Sequence, residues 1–107
     1  MGRPNLRLRY DVGLVRQMGL IYRGRWVHVR WGNSEHDRTL ISVRKKFGSA
    51  VYRNQIRRQI RSICQELLPE GHRDIMLIIA VGDRSRGVSF AELRGDLVNA
   101  FTNIRLI

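Results

Sequence analysis

The chain has 107 residues and carries 20 Lys and Arg against 9 Asp and Glu, a formal net charge of +11. At that length it is most simply one domain, residues 1–107, just large enough to bury a single core without disulfides or metal. A field of this sign draws in nucleic acid or an anionic membrane, and an enzyme for small neutral substrates has no need of it.

All but two of the cations, Lys45 and Lys46, are arginine. The planar guanidinium forks phosphate and stacks on bases, which favours RNA or DNA as the partner. A lone cysteine, Cys64, can make no internal disulfide, so nothing marks an oxidising compartment and the cytoplasm is the expected location. The N-terminus lacks an apolar core of signal-peptide length. The longest apolar run, Ile75 to Val81, is too short to cross a bilayer, and no membrane association is expected.

Along the chain, Val12, Leu14, Val15 and Met18 have mostly helical spacing, with Gly19 placed to end a short first helix over 10–18. "RWVHVRW", Arg25 to Trp31, alternates and is rich in β-branched and aromatic residues. "GNSEHD" interrupts it and "RTLISV" resumes, which predicts an antiparallel hairpin with a long loop. Trp26 and Trp31 have opposite parity on that strand, so one is expected in the core and the other on the open face. From Val51 the period changes to 3.6, with Ile56, Ile60, Ile63, Cys64 and Leu67 forming one stripe until Pro69 and Gly71 stop the helix. Asp74 to Val81 shows no alternation, the pattern of a central strand covered on both faces. Ser89 and Glu92 are spaced as a capping box, and Phe90, Leu93, Leu97, Phe101 and Ile104 share one face of a last helix. The order is αββαβα: an α+β sandwich of helices against a small mixed sheet.

On a helical wheel at about 100° per residue, Asn54, Arg57, Arg58 and Arg61 fall on one arc beside the isoleucine stripe, with Arg53 at its border. Arg44, Lys45 and Lys46 lead in, and Gly48 allows backbone amides to approach a phosphate near the helix N-terminus. A solvated polar face would interleave acids with these cations; here Glu66 comes only at the end.

The stretch "ISVRKKFGSAVYRNQIRRQIR" resembles the signature of the bacterial ribonuclease P protein component. The "LRLRYD" start, Gly19, the hairpin, "LPEGHRDIMLIIAV" and the amphipathic last helix follow in that family's order. The resemblance implies a ribosomal-protein-like fold with a left-handed crossover from the 39–43 strand through the central helix to the 74–81 strand, against the right-handed norm. It also implies a subunit that binds ribonuclease P RNA and the 5′ leader of precursor tRNA, with Mg2+ held mainly by the RNA doing the phosphodiester chemistry and no protein partner required. Carried over by motif, the RNA-subunit contacts are Arg44, Lys45, Lys46, Gly48, Arg53, Asn54, Arg57, Arg58 and Arg61. The leader contacts are Val12, Arg16, Trp26, His28 and Arg30. Gln55 stands where the motif commonly has Arg and Ser49 where it has Asn, while Val12, Arg16 and Arg30 occupy positions that usually hold aromatics.

No catalytic residue or metal ligand is assigned to the protein. His28, His36 and His72 lie in unrelated segments, the acids are scattered singly, and no Cys/His zinc spacing exists. Cys64 lies on the apolar stripe and is read as core. The rival class is a basic RNA-binding protein of ribosomal or chaperone type, distinguished by whether the chain stimulates precursor cleavage. A helix-turn-helix is disfavoured because the central helix runs into a strand, and a membrane-surface helix because its apolar face is needed for the core.

Overall fold

A computed structural model describes residues 19–34, 37–68 and 75–107. The expected helix over 10–18, with Val12 and Arg16, lies outside them, as do His36, His72 and the Pro69–Gly71 stop.

Four strands form one mixed sheet: β1 (Leu20–Arg23), β2 (Val27–Asn33), β3 (Arg38–Ser42) and β4 (Ile75–Val81), in the order β1-β2-β4-β3. β2 is antiparallel to both β1 and β4, and β3 is parallel to β4. The expected α+β class holds, but the hairpin partner does not. β2 turns back on the short upstream strand β1, and β4 is inserted between β2 and β3. The cause is the composition of β4. A seven-residue apolar strand must be paired at both edges and covered on both faces, so it takes the middle of the sheet and displaces β3 outward.

Helix α1 (Ala50–Leu67) begins at Ser49, whose hydroxyl accepts the Tyr52 N–H at 3.4 Å. Ser49, one of the residues that depart from the family motif, therefore works as an N-cap. Helix α2 (Phe90–Asn103) begins at Ser89, whose hydroxyl accepts the Glu92 N–H at 3.1 Å and donates to the Glu92 carboxylate. The expected residues are paired, side chain to side chain.

The stripes meet the sheet on one face. Ile56, Ile60, Ile63 and Cys64 of α1 and Leu93, Leu97, Ala100 and Phe101 of α2 are buried with Val27, Val29, Leu77, Ile79 and Val81. Each fully buried Ile or Leu contributes about 1.5–3 kcal/mol relative to exposure. Phe90, expected on that stripe, lies at the first turn and is 41% exposed. On the opposite face Met76 and Ile78 are buried with Leu40 beside them, which explains why β4 does not alternate.

Trp26 and Trp31 do not divide between the faces as expected: both pack against the helix-side core. Trp31 shares the parity of Val27 and Val29, whereas Trp26 sits in the turn before β2 begins, where strand parity does not operate.

Candidate nucleic-acid interface

Helix α1 has two chemically different flanks on either side of its apolar stripe. On one, Arg53 and Arg57 are half-buried and Asn54, Arg58 and Arg61 are exposed. Arg57 donates to the Asn54 side-chain oxygen at 3.2 Å. Among the described residues no carboxylate pairs with Arg53, Arg57, Arg58 or Arg61. The Arg53 Nε is buried and has no hydrogen-bond partner. Glu66 follows Arg57 by nine residues, half a turn around the axis at about 100° per residue, so it points away from Arg57 and toward the other flank. There it binds Arg94 of α2, with Nε at 2.9 Å from one carboxylate oxygen. Arg94's hydrogen bonds, reinforced by its charge, hold the Glu66 carboxyl below its usual range. Glu66 is therefore spent on packing α2, and the arginine flank is left without an acidic partner among the described residues.

Arg44, Lys45 and Lys46 lie between β3 and α1, all exposed, with Lys45 to Phe47 forming a single 3-10 turn. Arg44 and Lys46 approach the same Asp83 oxygen at 3.5 and 3.8 Å, so two cations share one anion at a solvated surface. Gly48 is half-buried, and its N–H donates to the Lys45 carbonyl at 3.3 Å, closing the turn. Amides open to an anion at this terminus are therefore those of Ala50 and Val51, the first of the helix. Gln55 stands about 200° from Arg57 and belongs to the other flank.

A second basic surface lies on the sheet face away from the helices. His28 and Arg30 alternate there on β2, opposite Arg23 and Ile21 of β1. At the end of this face a cleft of about 500 Å3 is lined by Arg25, Trp26, His28, Arg44 and Arg84, with Asp83 as its acid. The His28 Nδ1 is buried and lacks a partner. The Arg25 guanidinium stacks over the Trp26 ring, 5.1 Å from its centroid. The structure thus brings Trp26, His28, Arg25 and Arg84 to one cleft, with Arg30 further along β2.

What holds this rim is a residue that periodicity passed over. Asp96 of α2, 8% exposed, accepts the N–H groups of Arg25 at 3.0 Å, Trp26 at 2.7 Å and Val27 at 3.0 Å. Ser85 donates to the Trp26 carbonyl at 2.5 Å, and the Gly82 N–H reaches the same oxygen at 2.9 Å. Gly24 is required because a Cβ there would come within 2.6 Å of both the Asp96 carboxylate and the Val27 carbonyl. The available signal was an acid three residues after Leu93, on the apolar stripe of an amphipathic helix.

Cys64 is buried and its thiol is pushed up to about 11 by burial, so at neutral pH it is a core group and not a nucleophile. Among the described residues no three His, Cys, Asp or Glu side chains converge as a metal site, and no helix is long and apolar enough to cross a membrane.

Fold and charge together define a small basic α+β protein in which a parallel β-α-β unit presents an arginine flank. The family model for ribonuclease P matches residues 13–105. The ribonuclease P protein component of Thermus scotoductus is 37% identical over 104 residues, which cover 95% of this chain and 62% of that protein. That of Thermus thermophilus is 38% identical over 104 residues, covering 95% and 61%. That of Limosilactobacillus reuteri is 34% identical over 73 residues, covering 68% and 62%. The chain spans about three fifths of the length of the Thermus relatives. The RNase P protein of Staphylococcus aureus has the same fold, with a TM-score of 0.80 at 23% identity over 91% of each chain. So has that of Thermotoga maritima, at 0.76 and 24% over 90% of this chain and 93% of the other. The chain belongs to the ribonuclease P protein family.

Proposed function

We propose that the chain is the protein subunit of ribonuclease P, which binds the catalytic RNA through the arginine flank of α1 and the 5′ leader of precursor tRNA at the cleft, promoting endonucleolytic maturation of the tRNA 5′ end. The supporting observation is the flank of Arg53, Arg57, Arg58 and Arg61, left without acidic partners among the described residues. Like charges crowded on one helix repel one another, and a polyphosphate chain is the partner that turns that repulsion into binding through released counterions. Arg44, Lys45 and Lys46 extend the surface toward β3.

At the cleft, the leader would meet the Arg25–Trp26 stack and the His28 ring, with Arg30 beside them. A flexible single strand suits stacking and charge better than base-edge readout. Among the described residues no three His, Cys, Asp or Glu side chains converge as a metal site. Glu66 is engaged by Arg94, and Asp83 lies between Arg44 and Lys46. Hard cations need several oxygen ligands, so Mg2+ would be held mainly by RNA. The protein's part is to bind and position the two RNAs, and the location implied is cytoplasmic.

Reconstitution tests the reading. The chain is mixed with a bacterial ribonuclease P RNA and precursor tRNA at low Mg2+, and multiple-turnover cleavage at the mature 5′ end is expected. No stimulation over RNA alone would sink it. Changing Arg57 and Arg61 together to Glu should weaken RNA-subunit binding and make its log–log salt dependence shallower by about 2, one for each lost phosphate contact. Arg30→Ala should lower affinity for precursor with a leader and leave mature tRNA unaffected. Equal losses on both would remove the leader from this face.

A further inference from the structure

The flank of α1 opposite the arginines carries a second surface that the proposed contacts do not use. Tyr52, Gln55 and Gln59 recur at i, i+3 and i+7, which puts them on one side of the helix. They face the loop Ser85–Val88, and between helix and loop lies a cavity of about 140 Å3. Its inner wall is apolar: Phe47 and Ile56 line it and are 4% and 5% exposed. One side is aromatic, Tyr52, half exposed to solvent, with the Arg86 guanidinium 5.1 Å from its ring centroid. Gly87 turns the loop at φ 82, a conformation that a residue with a Cβ rarely adopts. The carboxamides of Gln55 and Gln59 have no hydrogen-bond partner among the described residues.

We propose that this cavity takes one unstacked adenine base of single-stranded RNA, stacked against Tyr52 and hydrogen-bonded along its edge by Gln55 and Gln59. The inference rests on the chain being an RNA-binding protein. Size favours a single base, since the volume falls well below that of sites for drug-sized ligands. Chemistry favours a base over a partner's apolar side chain: a planar π-system satisfies Tyr52, and a polar edge satisfies carboxamides that an apolar side chain would leave dry. A carboxamide presents one donor and one acceptor, the pair that matches the adenine N6 and N7 edge. Arg86 keeps the rim cationic for the adjoining phosphate. Tyr52 lies nine residues before Arg61, half a turn away, so a strand on the arginine flank leaves the cavity open.

The test uses two labelled RNA tetramers, one with a single adenine among abasic residues and one wholly abasic, so that the phosphate number is constant. Affinities for the full chain are measured by fluorescence anisotropy at low salt. The adenine should tighten binding about tenfold, within the range of base–aromatic stacking. Tyr52→Ala should abolish that ratio, and Gln55→Ala with Gln59→Ala should reduce it several-fold, while affinity for the abasic tetramer stays at the wild-type value. Equal wild-type affinities overturn the proposal, as does a Tyr52→Ala chain that keeps the ratio or weakens both tetramers alike. Arg57→Glu with Arg61→Glu should weaken both tetramers and preserve the ratio. If that pair changes neither, the arginine-flank reading fails, while the ratio still decides the cavity.

Discussion

Replacing Asp96 by Ala removes the acceptor for three backbone amides in one step. The Val27 N–H is fully buried, so losing its partner leaves a dry donor, worth about 1–3 kcal/mol. Trp26 is half-buried and Arg25 exposed, so water recovers part of what their amides lose, and those two together add about 1 kcal/mol. The expected loss is about 3 kcal/mol, a large share of the 5–15 kcal/mol typical of a domain. It should lower the melting temperature by roughly 15 °C for a chain of this size. Urea unfolding followed by circular dichroism measures it as a lower midpoint at unchanged slope. Asp96→Asn keeps one acceptor oxygen and should cost about half as much. Gly24→Ala supplies an independent check, because the added Cβ meets the same carboxylate as well as the Val27 carbonyl. Its cost should shrink in an Asp96→Ala background. A midpoint for Asp96→Ala within about 0.5 kcal/mol of wild type, or strict additivity of the pair, would refute the latch.

Cys64 should resist a thiol reagent at pH 8 in the folded protein and react at once in denaturant, since only about one thiol in a thousand ionises when the group titrates near 11. Fast stoichiometric labelling of native protein would show the stripe is open there. Ser49→Ala should destabilise by about 1 kcal/mol in urea unfolding through loss of the α1 cap. The Glu66 carboxyl is lowered by Arg94, so its pairing is in place above the ordinary glutamate range near pH 4.3 and is lost as pH falls through the lowered value. Glu66→Gln should therefore flatten the acid limb of the stability curve. Both partners are well exposed, so the difference should vanish in about 1 M salt.

Periodicity within a segment was enough to locate α1 and α2, the capping serine of α2, the buried stripe with Cys64, and the arginine flank beside it. Each of these is a property of one stretch of backbone, whose repeat of about 3.6 residues sorts side chains into faces before any tertiary contact forms. The missing alternation of β4 likewise announced cover on both sides. Strand order could not be read the same way. β1 is four residues long, and the loop between β2 and β3 does not say that a strand more than thirty residues later will separate them. Pairing partners are chosen by where the whole apolar surface can be buried, a non-local quantity. The same holds for the site. Sequence spacing set the arginines apart from the core, whereas tertiary structure decided that Glu66 would turn to Arg94, that Asp96 would grip the turn holding Trp26, and that Arg86 would stack on Tyr52 at the edge of a cavity. Those contacts join residues far apart in the chain, so the local repeat that fixed each face carried no information about which faces would meet.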